Sequence, residues 1–220
     1  MKANAFFTMA LLLFVLVACE GQKRGSESKA SDSDVSLIPL KPPAGKAIAA
    51  FAEGCFWCSE HIFEAVVGVD SAISGYAGGT TKNPTYEIVN TETTGHAETV
   101  LVYYNPKVVS YEELTKVFFT SHDPTTKNSQ GPDHGSSYRS ILFYLTAEEK
   151  AIAEKSLESF EKSGLYKTPI VSEIKKLTEF YRAEGYHQDF IAHNPNQSYV
   201  RGVSIPRFEL FKKTYKGKLK

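Results

Sequence analysis

Two of the three cysteines in this 220-residue chain stand one helical turn apart, in Cys55-Phe56-Trp57-Cys58. The run Lys46 to Ala52 before them reads as a buried strand ending at Glu53-Gly54, and Phe63, Val66 and Val67 after them recur at helical spacing. The pair therefore sits where a strand gives way to a helix. Unpaired amides and the positive end of the helix dipole stabilise a thiolate on the first cysteine of such a junction. Cysteines so placed can titrate several units below the ordinary ~8.5, and Cys58 can fold back to close a disulfide. Three readings compete. A structural bridge over so short a loop removes little entropy from the unfolded chain and is a poor staple, even in a secreted protein. Zinc needs further Cys or well-spaced His ligands, and His61, His96, His122, His134, His187 and His193 show no such spacing to the pair. Redox chemistry is the better reading.

The rest of the chain must position that pair. Val69 to Tyr76 can form a second strand, closed by Gly78-Gly79; Glu98, Val100 and Val102 alternate with Thr99, Leu101 and Tyr103 in a third. Ser110-Tyr111-Glu112-Glu113 and Thr146-Ala147-Glu148-Glu149 read as capping boxes opening helices to about Thr120 and Glu161. Between these helices a long loop runs from Ser121 to Ser137, followed by the strand-like Tyr138 to Leu145; loops of that length in a compact domain are often functional. Ile170 to Ile174 reads as a further strand and Tyr186 to His193 as a short helix. Strands and helices mix without strict alternation, which predicts an α+β fold: a two-layer α/β sandwich with a ferredoxin-like core and long active-site loops.

Lys plus Arg and Asp plus Glu balance at 25 each, so no global field points to nucleic acid or to a membrane surface. A 42% hydrophobic and 12% aromatic content is enough for a sizeable core. At the N-terminus, Lys2 precedes an apolar run from Ala5 to Ala18, too short to span a bilayer comfortably. It reads as a secretory signal peptide over residues 1–18. The run ends in Leu16-Val17-Ala18-Cys19, which resembles the lipobox of bacterial lipoproteins. That resemblance implies cleavage before Cys19 and lipid on its sulfur and new amino group, and two or more acyl chains anchor stably. Glu20 to about Ser36 is polar and has no aromatic residue, and Lys41-Pro42-Pro43 stiffens the approach to the domain. Residues 19–43 thus read as a lipidated tether, 44–210 as the domain, and 211–220 as a basic tail whose lysines form a solvated face. The expected location is a bacterial membrane, facing the periplasm or the cell exterior. Cleavage would also remove Met1 and Met9, the only methionines, which fits a place where oxidants are common.

Gly54-Cys55-Phe56-Trp57 is the first of several blocks that occur in order along residues 46–210. The others are Gly75-Tyr76-Ala77-Gly78-Gly79, Asn83-Pro84-Thr85-Tyr86, Gly95-His96-Ala97-Glu98, His122-Asp123-Pro124, Gln130 to Gly135, Tyr138-Arg139-Ser140 and Tyr186-His187-Gln188-Asp189. Together they resemble the A-type peptide methionine-sulfoxide reductases. The resemblance implies that Cys55 attacks the sulfoxide sulfur as a thiolate. Glu98 supplies a proton or a very short hydrogen bond, for which its carboxyl must stay protonated. Tyr86 and Tyr138 hold the oxygen with their hydroxyls, as an oxyanion hole does. Phe56 and Trp57 cage the methyl group and select the S epimer, and Asp133 and His134 line a loop that contacts the substrate backbone. The products would be methionine and a Cys55 sulfenic acid. Cys58 then forms the Cys55–Cys58 disulfide, and a thioredoxin-like donor reduces it by exchange. The implied substrates are oxidised proteins or peptides and free methionine sulfoxide; no cofactor and no metal is implied.

The chain departs from many relatives in one respect. They carry Gly after the Trp and place resolving cysteines in a C-terminal tail, whereas Phe211 to Lys220 holds none here. The resemblance is therefore to the C-x-x-C subgroup. Bland readings stand beside these roles: Tyr86 as a helix-surface tyrosine, Tyr138 as the first residue of a strand, Asp133 as a turn residue, and His96 and His187 as structural hydrogen-bonding groups. Glu98 is the exception, since a lone carboxyl among strand apolars is costly unless paired or neutral. Two alternatives lie outside the family: a thiol–disulfide oxidoreductase acting on protein disulfides, and a non-enzymatic lipoprotein with a structural bridge. The apolar Phe56-Trp57 insert suits a methyl–sulfur pocket better than either.

Overall fold

The computed structural model describes residues 35–220. The expected signal peptide, Cys19 and the polar part of the expected tether lie outside the described residues. Among the described residues nine strands form in chain order: β1 (Ser36–Leu37), β2 (Ala47–Glu53), β3 (Val69–Ala77), β4 (Ala97–Tyr104), β5 (Ser129–Gln130), β6 (Asp133–His134), β7 (Ser140–Tyr144), β8 (Glu173–Lys176) and β9 (Phe180–Arg182). The helices are α1 (Phe56–Glu64), α2 (Tyr86–Val89), α3 (Tyr111–Ser121), α4 (Ala147–Lys162), α5 (Phe190–His193) and α6 (Ile205–Thr214).

Seven strands make one sheet in the order β1-β9-β3-β4-β2-β7-β8, while β5 and β6 form a separate ribbon inside the long loop. In the centre, β3-β4-β2-β7, every neighbouring pair is antiparallel. Strands β2 and β3 thus run parallel with β4 between them, and β4 and β7 run parallel with β2 between them. These two split β-α-β units are the expected ferredoxin-like core. Strand β2 (AIAAFAE) is buried along nearly its whole length, which explains its continuous apolar reading rather than an alternating one.

The sheet buries both faces. On one, Phe51, Phe63, Phe118, Phe119 and Phe211 join the helices to β2; the Phe51 and Phe63 rings stack at 4.6 Å. On the other, Ile48, Ala50, Leu101, Ile141, Phe143 and Phe180 are covered by Leu177 and by Ile38 and Leu40 from the N-terminal side. The residues from Val35 to Pro43 are therefore not tether. Strand β1 pairs with β9, and the Ile38 amide donates to the Phe180 carbonyl at 2.9 Å. Val35, Leu37, Ile38 and Leu40 are the apolar residues that the polar run before them hid.

The C-terminus needs a similar correction, because residues 211–220 are not a tail. Phe208, Phe211 and Tyr215 recur at helical spacing, and Phe211 is 0% exposed. Past α6 the Lys220 amide donates to the Ala65 carbonyl at 2.8 Å, and Val66 bridges Leu219. The five lysines do form an exposed face; their frequency masked the apolar stripe between them. Elsewhere, Ile170 to Ile174 gives way to a strand three residues later, at β8, and the helix expected over Tyr186 to His193 splits at Asp189, whose φ is 52°. Phe211→Ala is expected to destabilise the fold by about 3–5 kcal/mol in urea titration; a solvated tail would give no change.

Candidate active site

Strand β2 delivers the chain to Gly54, whose φ of +85° turns it into α1. A Cβ here would lie 2.5 Å from the Gln130 Cβ, so only glycine fits both the conformation and the neighbour. Cys55 then caps α1 and is 5% exposed, while Cys58, one turn on, is 1% exposed. Strand β4 brings Glu98 alongside, in register with Tyr76 of β3. The Phe56 amide, the first of α1, donates to Glu98 Oε2 at 2.9 Å. Glu98 is 2% exposed. Burial lifts its carboxyl from 4.5 to about 8 even though the Phe56 amide favours the anion. It is therefore a proton donor at neutral pH.

Two tyrosines face this acid from separate loops. Tyr86 opens α2, and its amide donates to Glu184 Oε1 at 2.9 Å; the Tyr76 hydroxyl donates to Glu184 Oε2, also at 2.9 Å. Tyr138 ends a 3₁₀ turn, Ser136–Tyr138, rather than beginning a strand. Glu92 fixes that turn by accepting from the Ser137 amide at 2.9 Å and from the Ser136 and Ser137 hydroxyls. Arg139 Nη1 adds a bond to the Ser136 carbonyl at 2.7 Å. Burial raises both tyrosines, so their hydroxyls stay protonated donors.

These groups line a cavity of about 240 Å³, smaller than the roughly 300–1,000 Å³ of a site for a drug-sized ligand. Cys55, Phe56, Trp57, Glu98, Tyr86, Asp133 and Tyr138, all singled out in the sequence, meet there. Trp57 stacks on Phe190 at 3.7 Å and donates its indole N–H to His187 Nδ1 at 3.0 Å. Burial lowers His187 to about 4, so the ring is neutral with its proton on Nε2. It acts as a hydrogen-bonding wall behind Trp57. His96 is structural too, taking the Gly79 amide at 3.2 Å. His134 is not brought in: it is exposed, points to Ser129 Oγ at 3.0 Å, and lies outside the lining. In its place stand Tyr199, which donates to Asp133 Oδ2, and Gln197. Sequence reasoning missed both, together with Glu92, Glu184 and Arg207; for all but Gln197 the partners lie 44 to 154 residues away. A larger apolar groove of about 490 Å³ shares the Asp133 and Tyr199 wall and runs against Arg207.

Burial and charge bear on the two thiols differently. The expected thiolate was Cys55, but Glu98 has taken the leading amide of α1. Burial pushes the Cys55 thiol well up, and the neighbouring Cys58 pushes it further. Cys58 is drawn down, first by the neighbouring Cys55 thiol and then by the Arg207 guanidinium. Both thiols of the reduced pair are buried, and the Arg207 charge favours ionisation of Cys58.

The family model for peptide methionine sulfoxide reductase matches residues 47–219. The chain belongs to that family. Its relatives include peptide methionine sulfoxide reductase MsrA 1 of Rhodopirellula baltica, 44% identical over 85% of this chain and 96% of that one. MsrA of Methanosarcina acetivorans is 49% identical over 78% of this chain and 91% of its own. Among solved structures, reduced Mxr1 from Saccharomyces cerevisiae is 35% identical with a TM-score of 0.67, covering 74% of this chain and 92% of that one. Methionine sulfoxide reductase A of Corynebacterium diphtheriae is 30% identical with a TM-score of 0.63, covering 78% and 91%. The reductase thus shares the α+β fold of this family across its described domain.

In the reductase, the Glu98 carboxyl band in difference infrared spectra, identified by its loss in Glu98→Gln, is expected to titrate at about 8 rather than near 4.5. The folded value is raised, so the carboxyl's contribution to stability is complete below 4.5 and is lost as pH rises through about 8. Glu98→Gln should remove that part of the pH dependence of unfolding; an unchanged slope would show that Glu98 is ionised in the fold.

Proposed function

We propose that the chain reduces the S epimer of methionine sulfoxide, protein-bound or free, to methionine, using Cys55 as nucleophile and thiols as the source of electrons. The observation that carries this reading is the convergence of a protonated Glu98 and two tyrosine hydroxyls on the cavity beside Cys55. A sulfoxide sulfur becomes electrophilic when its oxygen is protonated or strongly hydrogen-bonded. Glu98, Tyr86 and Tyr138 do this in a site shielded from water, where such bonds are strongest. As attack begins, Cys55 passes its proton to the Cys58 thiolate beside it. The oxygen moves from substrate sulfur to Cys55, giving methionine and a sulfenic acid. The Phe56 face and the Trp57 indole, locked by Phe190 and His187, take the methyl group and set the epimer. Asp133, held by Tyr199, takes the substrate backbone.

Recycling runs through Cys58. It displaces the sulfenic oxygen as water and closes the Cys55–Cys58 disulfide, as expected for the C-x-x-C subgroup. A thioredoxin-like dithiol protein then reduces that bridge by exchange. Support comes from the placement of Cys58 one turn along α1 and from the absence of any cysteine after it. A thiol–disulfide oxidoreductase is the weaker reading, since it gives a buried acid and two tyrosines nothing to do.

The chain also reads as a lipoprotein. Cleavage after Ala18, lipid on Cys19 and a short polar tether would hold the domain at a bacterial membrane on the periplasmic or outer side. The basis is the Leu16-Val17-Ala18-Cys19 run and the polar segment after it.

Residues 35–220, incubated with racemic N-blocked methionine sulfoxide and dithiothreitol, are expected to consume only the S epimer on chiral chromatography, and Cys55→Ser to consume neither. Consumption of both epimers, or of neither by the folded reduced domain, would refute the reading. In a bacterial host the full chain should fractionate with membranes and Cys19→Ser should not; equal fractionation of the two would refute the anchor.

A further inference from the structure

Cys58 works behind the cavity rather than in it, and its surroundings come mostly from the C-terminal segment. Its Sγ points to Ser204 Oγ at 3.2 Å. Ser204, 1% exposed, closes a π-helical turn, Val200–Ser204, that leads into α6. One turn into α6, Arg207 lies across the end of β2. Its Nε donates to the Ser121 carbonyl at 2.7 Å, and its Nη2 donates to Glu53 Oε1 at 2.8 Å. Nη1 lies 3.9 Å from where a Cβ on Gly54, the residue before Cys55, would stand. Glu53 is 0% exposed and also accepts from Ser121 Oγ at 2.7 Å. This fixation sets a permanent charge close to the start of α1, where it favours the ionised form of Cys58.

We infer that Ser204 and Arg207 are positioning residues for the resolving thiol: they hold Cys58 as a thiolate through the recycling half of the reaction. The inference rests on the reading of Cys58 as the resolving residue. Two steps need the anion. In the first, Cys58 has just taken the proton of Cys55 and must lose it before attacking the sulfenic acid. The bond formed is Sγ–Sγ, the bond broken is S–O, and the oxygen leaves as water. The hydrogen bond from the Cys55 thiol is gone by then, so the Ser204 hydroxyl and the Arg207 charge are what remain to favour the anion. In the second step, a donor thiolate attacks the disulfide. Cys55 lines the cavity and Cys58 does not, so the donor attacks Cys55, the S–S bond breaks, and its electron pair leaves on Cys58. A leaving thiol of low pKa departs faster. The donor's second thiol then closes the donor disulfide and frees Cys55.

The groups facing Cys58 bear on its titration with opposite signs. Arg207 and Ser204 lower it, and Asp133 raises it. The carboxyls of Glu53 and Glu98 rise in turn when Cys58 is ionised, and Tyr199 does likewise. His122, 3.8 Å from Glu53, is neutral down to about pH 3 and adds no charge. Arg207 is the only permanent cation among these groups, which is why its removal is the informative change.

The test is rapid-quench oxidation of the reduced protein by excess methionine sulfoxide from pH 5 to pH 9. Methionine release and Cys55–Cys58 disulfide formation are followed separately. Arg207→Met alone strands Glu53, so the pair is removed together in Glu53→Gln/Arg207→Met, with Ser204→Ala and Arg207→Lys beside it. Relative to methionine release, at pH below the midpoint the disulfide step of the double variant should slow about tenfold for each unit by which that midpoint rises. A rise of at least one unit is expected, a smaller one in Ser204→Ala, and recovery of most of it in Arg207→Lys. An unmoved midpoint in both the double variant and Ser204→Ala would overturn the inference. If Cys58→Ser recycles at the unaltered rate, the resolving role of Cys58 itself fails, which is a separate result.

Discussion

The site depends on one hydrogen bond, from the Phe56 amide to the Glu98 carboxyl across the junction of α1 and β4. It satisfies the leading amide of a helix, which otherwise would favour an anion on Cys55. It also places an acid beside Cys55 without ionising that acid. Burial raises Glu98 to about 8 and one amide is too little to reverse it. The split β-α-β core makes the contact unavoidable. Strand β4 lies between β2, which leads into Cys55, and β3, whose Tyr76 is in register with Glu98. Had β4 slipped by one residue, Glu98 would face the opposite side of the sheet.

Around this centre, other carboxylates act as brackets. Glu184 ties Tyr76 to the start of α2 and so orients Tyr86. Glu92 ties down the 3₁₀ turn that carries Tyr138, and its acceptor bonds lower its own carboxyl despite partial burial. Glu60 takes the Ser74 hydroxyl and the Asp189 amide, which sets the chain running into α5 and thus Phe190 under Trp57. Glu53 holds Arg207. Each of these acids is satisfied by hydrogen bonds, as burial requires of Glu53, Glu60 and Glu184. Each fixes a loop residue relative to the sheet, so loops with little secondary structure hold their side chains rigidly.

Local pattern carried much of this in the sequence. The continuous apolar run before Gly54, the period-2 stretch around Glu98 and the capping signals at Ser110 and Thr146 became β2, β4, α3 and α4. The Thr146 box formed in full; at α3 only Ser110 caps, because Glu113 turns instead to Lys116 and Tyr215. Glu98 stood out because a lone carboxyl among strand apolars needs a reason. What could not be read depends on contacts distant along the chain. Tyr199, Glu184 and Arg207 look like ordinary surface residues in their own segments. His134 sits beside Asp133 in sequence yet turns away from the cavity, since successive residues of the β6 ribbon point to opposite sides. The opposite pulls on Cys55 and Cys58 were also hidden, because they turn on burial and on a guanidinium 149 residues after the second thiol.

The central claim is that a single chain carries its own two-electron reaction from Cys55 to Cys58. The most direct measurement mixes reduced protein with excess methionine S-sulfoxide and no added thiol, then counts methionine, free thiols and cross-linked peptide. One methionine per chain, no remaining thiol, and a peptide joining Cys55 to Cys58 are the predicted result. Methionine formed while Cys58 stays alkylatable, or no methionine from folded reduced protein, would contradict it.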